Sequence, residues 1–208
     1  MFEDLKEEII KFGKIAGDRN LSPGISGNIS IRSGGNIIIT SSGSANSFLD
    51  YDDICVIDFD GNLIEGCSKP SSEKFLHSEF YKRRNDIGAI CRFYCPYLTA
   101  FALSQYPLKD KILPEIVYMF GEIPAAEYAL PGSIDLVENT AKYFANYNVI
   151  MMKNHGVISA GRDLREAYLN VELCEVYAKT FVLSKFLGGA RILSENQVDD
   201  IYSLKQNN

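Results

Sequence analysis

Three short stretches of the chain carry residue types that can hold an anion or move a proton. The first is Lys69-Pro70-Ser71-Ser72-Glu73, which runs into a segment carrying His77. Proline followed by two serines is a helix start, and the free N–H groups of such a first turn, with two hydroxyls, can hold a phosphate or carboxylate. Glu73 falls in that predicted first turn. There it either simply favours the positive end of the helix dipole or serves as an acid/base or metal ligand. His77 lies four residues on, hence on the same helix face. Glu-x-x-x-His alone is a weak metal signal, and a helical histidine is more often a packing or hydrogen-bonding group.

The second stretch is the apolar strand Gly88 to Tyr94. Alternation puts Ile90, Arg92 and Tyr94 on one face and Ala89, Cys91 and Phe93 on the other. An arginine in such a strand needs an anionic partner or open water, because burying it unpaired is costly. The third is Lys153-Asn154-His155-Gly156-Val157. A histidine before a glycine, between two apolar strand segments, is either structural or aimed into a cleft, and the glycine permits close backbone approach. Two small polar segments, 20–28 and Ser41-Ser42-Gly43-Ser44, are turn-rich and can present N–H and hydroxyl groups to an anion.

The elements that must position these groups follow from periodicity. Phe2, Leu5, Ile9, Phe12 and Ile15 have helical spacing. Strands are predicted at 29–32 and 37–40 around Gly34-Gly35, then at 54–58 and 63–64 around Asp60-Gly61-Asn62. Helices follow at 71–84 and from Pro96 to Ser104. Residues 121–131 read as extended or irregular. A Ser133-capped helix is expected to run to about Tyr147. A strand at 149–153 is interrupted at 154–156 and continues over 157–160. The stripe Leu164, Ala167, Tyr168, Val171, Cys174, Ala178, Phe181 and Val182 marks a core-facing helix ending at Gly188-Gly189. The tail beyond Ser194 is polar and expected to fray.

Composition narrows the classes. The 208 residues suffice for one domain with a core of its own. The net charge of −6 argues against nucleic acid as the main partner. No apolar run approaches the roughly 20 residues of a membrane span, and the acidic, amphipathic N-terminus lacks a signal-peptide core. Five scattered cysteines, 55, 67, 91, 95 and 174, fit reduced thiols in a cytoplasmic protein.

As a set, Ser26-Gly27-Asn28-Ile29-Ser30, Ile39-Thr40-Ser41-Ser42-Gly43, Pro70-Ser71-Ser72-Glu73 and Lys153-Asn154-His155-Gly156-Val157-Ile158 resemble, in order and spacing, the class II aldolase/adducin family of sugar-phosphate aldolases and epimerases. The resemblance spans roughly residues 5–190. It implies an α/β fold: a central mixed, mostly antiparallel sheet flanked by helices in three layers, one domain over residues 1–208, assembled as a homotetramer. It also implies that Asn28, Ser42, Gly43, Ser71 and Ser72 bind the phosphate of a small anionic sugar-like substrate. Glu73 would be acid/base, His155 a zinc ligand, and Tyr118 would reach a neighbouring subunit's site.

The chain departs from the family where its His-x-His pair supplies two zinc ligands. Arg92 and Tyr94 stand there instead. Arginine is not deprotonated and does not ligate metal, and catalytic zinc takes three protein ligands. No cofactor is therefore expected; a metal would be left with His155, Glu73 and a group such as Tyr94, Cys91 or Cys95. Three readings stay open: lyase or epimerase chemistry without the usual zinc, with Glu73, Arg92, Tyr94 and His155 catalytic; a non-catalytic binding or assembly module; or a zinc-dependent aldehyde-lyase with an altered site. Arg92 either pairs with Glu73 or binds a substrate oxyanion.

Overall fold

A computed structural model describes residues 2–66 and 69–206; Cys67 lies outside them. The chain opens with helix α1 (Glu3–Asp18), followed by strands β1 (Asn28–Ser33), β2 (Asn36–Thr40), β3 (Ile54–Asp58) and β4 (Leu63–Glu65). Helix α2 (Lys74–Arg83), strand β5 (Ala89–Phe93), helices α3 (Pro96–Ser104) and α4 (Pro114–Met119) and the short strand β6 (Ala125–Ala126) come next. Helix α5 (Ile134–Ala141), strands β7 (Val149–Met152) and β8 (Gly156–Gly161), and helices α6 (Leu164–Lys185) and α7 (Glu195–Gln206) complete it.

The eight strands form one sheet in the order β4-β3-β2-β1-β5-β8-β7-β6. Every pairing is antiparallel except β6 with β7. This is the mixed, mostly antiparallel α/β architecture expected. Alternation along the strands builds two cores. Ile29, Ile31, Ile38, Cys91 and Phe93 join Ile9, Leu98, Val171 and Phe181 of α1, α3 and α6 on one side. Ile37, Ile39, Ile57, Ile90 and Ile158 join Leu76, Phe80, Leu136 and Phe144 on the other, beneath α2 and α5. Each fully buried isoleucine contributes about 1.5–3 kcal/mol of transfer free energy.

Four local expectations change. Glu73 is the residue just before the first turn of α2. The helix proper starts at Lys74, because residues 71–74 form a tight turn in which the Lys74 N–H donates to the Ser71 carbonyl. Helix α5 ends at Ala141, where bonding tightens to i−3 contacts such as Tyr143 N–H to the Thr140 carbonyl. The segment 157–160 does not prolong β7. It returns antiparallel as β8, through a turn in which Asn154 and Gly156 take positive φ of 56° and 115°. The tail forms α7, capped at Ser194, whose hydroxyl accepts from the Gln197 N–H, with Val198 and Ile201 half-buried.

Candidate active site

Five elements deliver the singled-out residues to one place. The β1–β5 register sets Asn28 opposite Arg92, so both point to the same face. The β7–β8 turn carries His155 beside β5, and Gly156 makes the approach feasible: a Cβ there would lie 2.6 Å from the Phe93 carbonyl oxygen. Gly27 plays the same part on the other flank, where a Cβ would stand 2.7 Å from the Arg92 carbonyl oxygen. The turn before α2 supplies Ser71, Ser72 and Glu73. It is tied to the Ser41–Ser44 loop by a bridge between Ser41 and Pro70, with the Ser42 N–H donating to the Lys69 carbonyl and the Ser71 N–H to the Thr40 carbonyl.

These elements enclose a cavity of about 520 Å³. Asn28, Ser42, Gly43, Ser71 and Ser72 line it together with Glu73, Arg92, Tyr94 and His155. Nine of the ten residues singled out above therefore converge. Tyr118 does not: it lies half-buried on α4, away from the lining of this chain's cavity.

At the cavity's inner wall the side chains interlock. Arg92 is 3% exposed, Glu73 5% and His155 2%. The Arg92 Nη2 group donates to the Tyr94 hydroxyl at 2.8 Å and to the His155 carbonyl at 3.0 Å. It also touches His155 Nε2. The guanidinium carbon lies 4.2 Å from the centroid of the Tyr94 ring, a cation–π contact. Arg92 Nε faces Glu73 Oε2 at 3.2 Å. That pair is electrostatic only, because neither atom has an aligned hydrogen bond within the described residues. The other carboxylate oxygen, Oε1, lies 2.8 Å from His155 Nε2.

His155 Nε2 thus sits between a donor and an acceptor. The two hydrogens on Nη2 are already spent on Tyr94 and the His155 carbonyl. The assignment that uses every hydrogen therefore puts a proton on Nε2 and donates it to Glu73. Burial alone would raise the Glu73 pKa, but the His155 hydrogen bond and the Arg92 charge outweigh it and hold the carboxyl below its ordinary value. Glu73 is an anion at neutral pH, with Oε2 the less engaged oxygen. Arg92 stands against Glu73 in this structure, at the wall of the cavity that it also lines.

These residues do not fit a zinc ion. Among the described residues no group of three or more histidine, cysteine, aspartate or glutamate side chains could hold one. Next to His155 Nε2, where a metal would need a lone pair, stands a guanidinium nitrogen. Cys91 and Cys95 are buried in the core on the opposite face of the sheet, and burial raises both thiol pKa values. Neither can complete a ligand set.

The sequence reading left His77 open, and its partners emerge only in three dimensions. The imidazole is fully buried, with Nδ1 2.7 Å from Ser30 Oγ and Nε2 2.6 Å from Asn28 Oδ1. No signal within α2 could have revealed this, since both partners lie more than forty residues away on β1.

Comparison with known proteins agrees with this geometry. The description "Class II Aldolase and Adducin N-terminal domain" matches residues 7–182. An L-fuculose phosphate aldolase of Methanocaldococcus jannaschii is 38% identical over 179 residues, covering 86% of this chain and 96% of the relative. A 3-oxo-tetronate 4-phosphate decarboxylase of Haemophilus influenzae is 30% identical over 203 residues, covering 94% and 95%. The solved structure of an L-fuculose 1-phosphate aldolase superposes with a TM-score of 0.89 at 31% identity, covering 98% of this chain and 96% of that one. This chain belongs to the class II aldolase and adducin N-terminal domain family.

Proposed function

We propose that this chain cleaves a carbon–carbon bond beside a carbonyl in a small phosphorylated sugar derivative, with the Arg92 guanidinium supplying the fixed positive charge. The relatives include an aldolase and a decarboxylase of sugar phosphates. Both reactions push an electron pair onto a carbonyl and leave an enolate. What carries the reading is the position of Arg92: its Nη2 and Nε groups meet Tyr94, His155 and Glu73 at the wall of a cavity otherwise lined largely by serine- and glycine-rich loops.

The substrate phosphate would sit on Asn28, Ser42, Gly43, Ser71 and Ser72, against N–H groups and hydroxyls. In aldol cleavage, Glu73 Oε2 takes the proton of the hydroxyl on the carbon that becomes the new carbonyl. The C–C bond breaks and its electron pair forms the enediolate. Arg92 faces the developing oxyanion, an interaction whose loss costs about 2.7–4 kcal/mol of barrier in comparable sites. Tyr94 gives its hydroxyl proton to the carbanionic carbon; solvent then takes the proton held by Glu73 and returns one to the Tyr94 oxygen, while the His155 Nε2–H holds the carboxylate in place. Tyr118 acts in a neighbouring copy's cavity if the chain forms the homotetramer that its family resemblance implies. Sedimentation as a monomer, with full activity in Tyr118→Phe, would remove that role.

A panel of ketose 1-phosphates and 3-oxo acid phosphates, assayed with chelator-treated protein, tests the proposal. The expected result is turnover of at least one, unaffected by chelator and lowered about 10²–10⁴-fold in Glu73→Gln. One observation favours a second reading, a binding module without chemistry: Glu73 already faces both Arg92 and His155 within ion-pair distance. Absence of turnover across the panel, with unchanged ligand binding in Glu73→Gln, would select it.

A further inference from the structure

Asn28 faces the cavity with one end of its amide already committed. Its Oδ1 can only accept, so His77 Nε2, 2.6 Å away, must carry a proton. The ring is neutral, since burial, only partly opposed by Glu73, pushes the His77 pKa down to about 4. Nδ1 is then bare and accepts the Ser30 Oγ hydrogen across 2.7 Å. The Tyr81 hydroxyl completes the chain, lying 2.8 Å from Ser30 Oγ and 3.1 Å from the Ser30 carbonyl. Both ring nitrogens are thus spent on residues 28 and 30, two apart on one face of β1. Among the described residues nothing accepts from Asn28 Nδ2. The residue is only 7% exposed, and what surface it shows opens on the cavity.

We infer that the Tyr81–Ser30–His77 chain is a positioning device that locks the Asn28 amide with its N–H₂ group turned into the cavity as a donor to the bound anion. The reverse orientation would turn a carbonyl oxygen toward the anion beside Ser71 and Ser72 and repel it. The chain pins strand β1 to helix α2 and sets the polarity of one donor in the same act. None of its three members lines the cavity, so their influence on the anion runs through Asn28. The inference rests on the anion-binding reading of the cavity proposed above.

His77 and His155 are the two histidines of the chain, so long-range ¹H–¹⁵N correlation of the imidazoles can read the tautomer directly. The expected signature is a neutral His77 protonated on Nε2 through neutral pH. A proton on Nδ1 would mean the opposite amide orientation and would overturn the inference whatever any variant does. Calorimetric titration with sn-glycerol 3-phosphate supplies the second readout. His77→Gln, which keeps a donor near the Nε2 position, should stay within about threefold of the parent, and His77→Leu should weaken binding about tenfold, the scale of one hydrogen bond. Asn28→Asp, whose oxygen replaces the inward N–H₂, should abolish binding while the protein stays folded. Ser30→Ala should weaken binding severalfold and covers the case of an unfolded His77→Leu. If the parent itself fails to bind the phosphate, the cavity reading falls and takes the inference with it. If the parent binds and Asn28→Asp and Ser30→Ala bind equally well, the inference alone is overturned.

Discussion

The two halves of the cavity differ in how far the fold has used up their hydrogen-bonding capacity. On the side of the serine loops, Ser42, Gly43 and Ser72 are exposed and the Ser42 and Ser72 hydroxyls bond to none of the described residues, while only the buried Ser71 and Asn28 are already engaged, by the Glu73 N–H and by His77. On the cationic side, Glu73, Arg92, Tyr94 and His155 are spent largely on each other and, Tyr94 apart, are at most 5% exposed. The open half keeps hydroxyl groups unspent. The closed half already contains its counter-charge. A buried ion pair of this kind adds little net stability, yet removing one partner strands the other. Mutations should therefore act on affinity in one half and on turnover and stability together in the other.

The largest expected effect comes from Arg92→Ala. It strands the Glu73 carboxylate and should cost about 3–5 kcal/mol in chemical denaturation, together with about 10²–10³-fold in turnover. The double variant Arg92→Met/Glu73→Leu should regain most of that stability without regaining activity; failure to regain it would show that the pair is not what makes the single change costly. Glu73→Gln should lower turnover about 10²–10⁴-fold and leave phosphate affinity within twofold, which kinetics and calorimetry separate. If both fall together, the cavity's halves are not independent.

Acid separates two buried groups. The folded-state pKa of His77 is depressed from 6.5 to about 4, so its contribution is complete above 6.5 and is lost as pH falls toward 4, about 3 kcal/mol in all. Glu73 is also depressed, from 4.5. Its contribution is complete above 4.5 and is lost below that. Denaturation between pH 7 and 3 should show stability falling in the upper window first, and His77→Gln should flatten that window and not the lower one. At the small end, Ser72→Ala should cost about 1 kcal/mol of anion affinity, and Tyr94→Phe about 1 kcal/mol of stability beside the roughly 10²–10⁴-fold loss of turnover that follows from removing its proton. Titration should find the first as weaker anion binding, and denaturation the second as lower stability.

What the sequence disclosed depended on how local the determinants were. Alternation along β5 put Arg92 and Tyr94 on one face and Cys91 on the other. The serines before α2 and the glycine after His155 marked their turns from adjacent residues. Strand pairing is not local, so nothing within α2 announced that His77 meets Asn28 and Ser30. The reversal at Asn154–Gly156 was missed because an apolar run on both sides looks the same whether the chain continues or turns back. Helix α7 was missed because its half-buried face is thin, carried by Val198 and Ile201, and shows only once the core it lies on is known. Of the ten site residues named from sequence, Tyr118 alone stays outside this chain's cavity.

Zinc titration of the purified, chelator-treated parent beside Arg92→His/Tyr94→His, followed by elemental analysis, tests most directly whether a guanidinium holds the place of a metal. The parent should retain no stoichiometric zinc, and the double variant, which restores two imidazoles beside His155, should retain one ion per chain. One tightly held zinc in the parent, with activity that disappears on chelation and returns with the metal, would contradict the account.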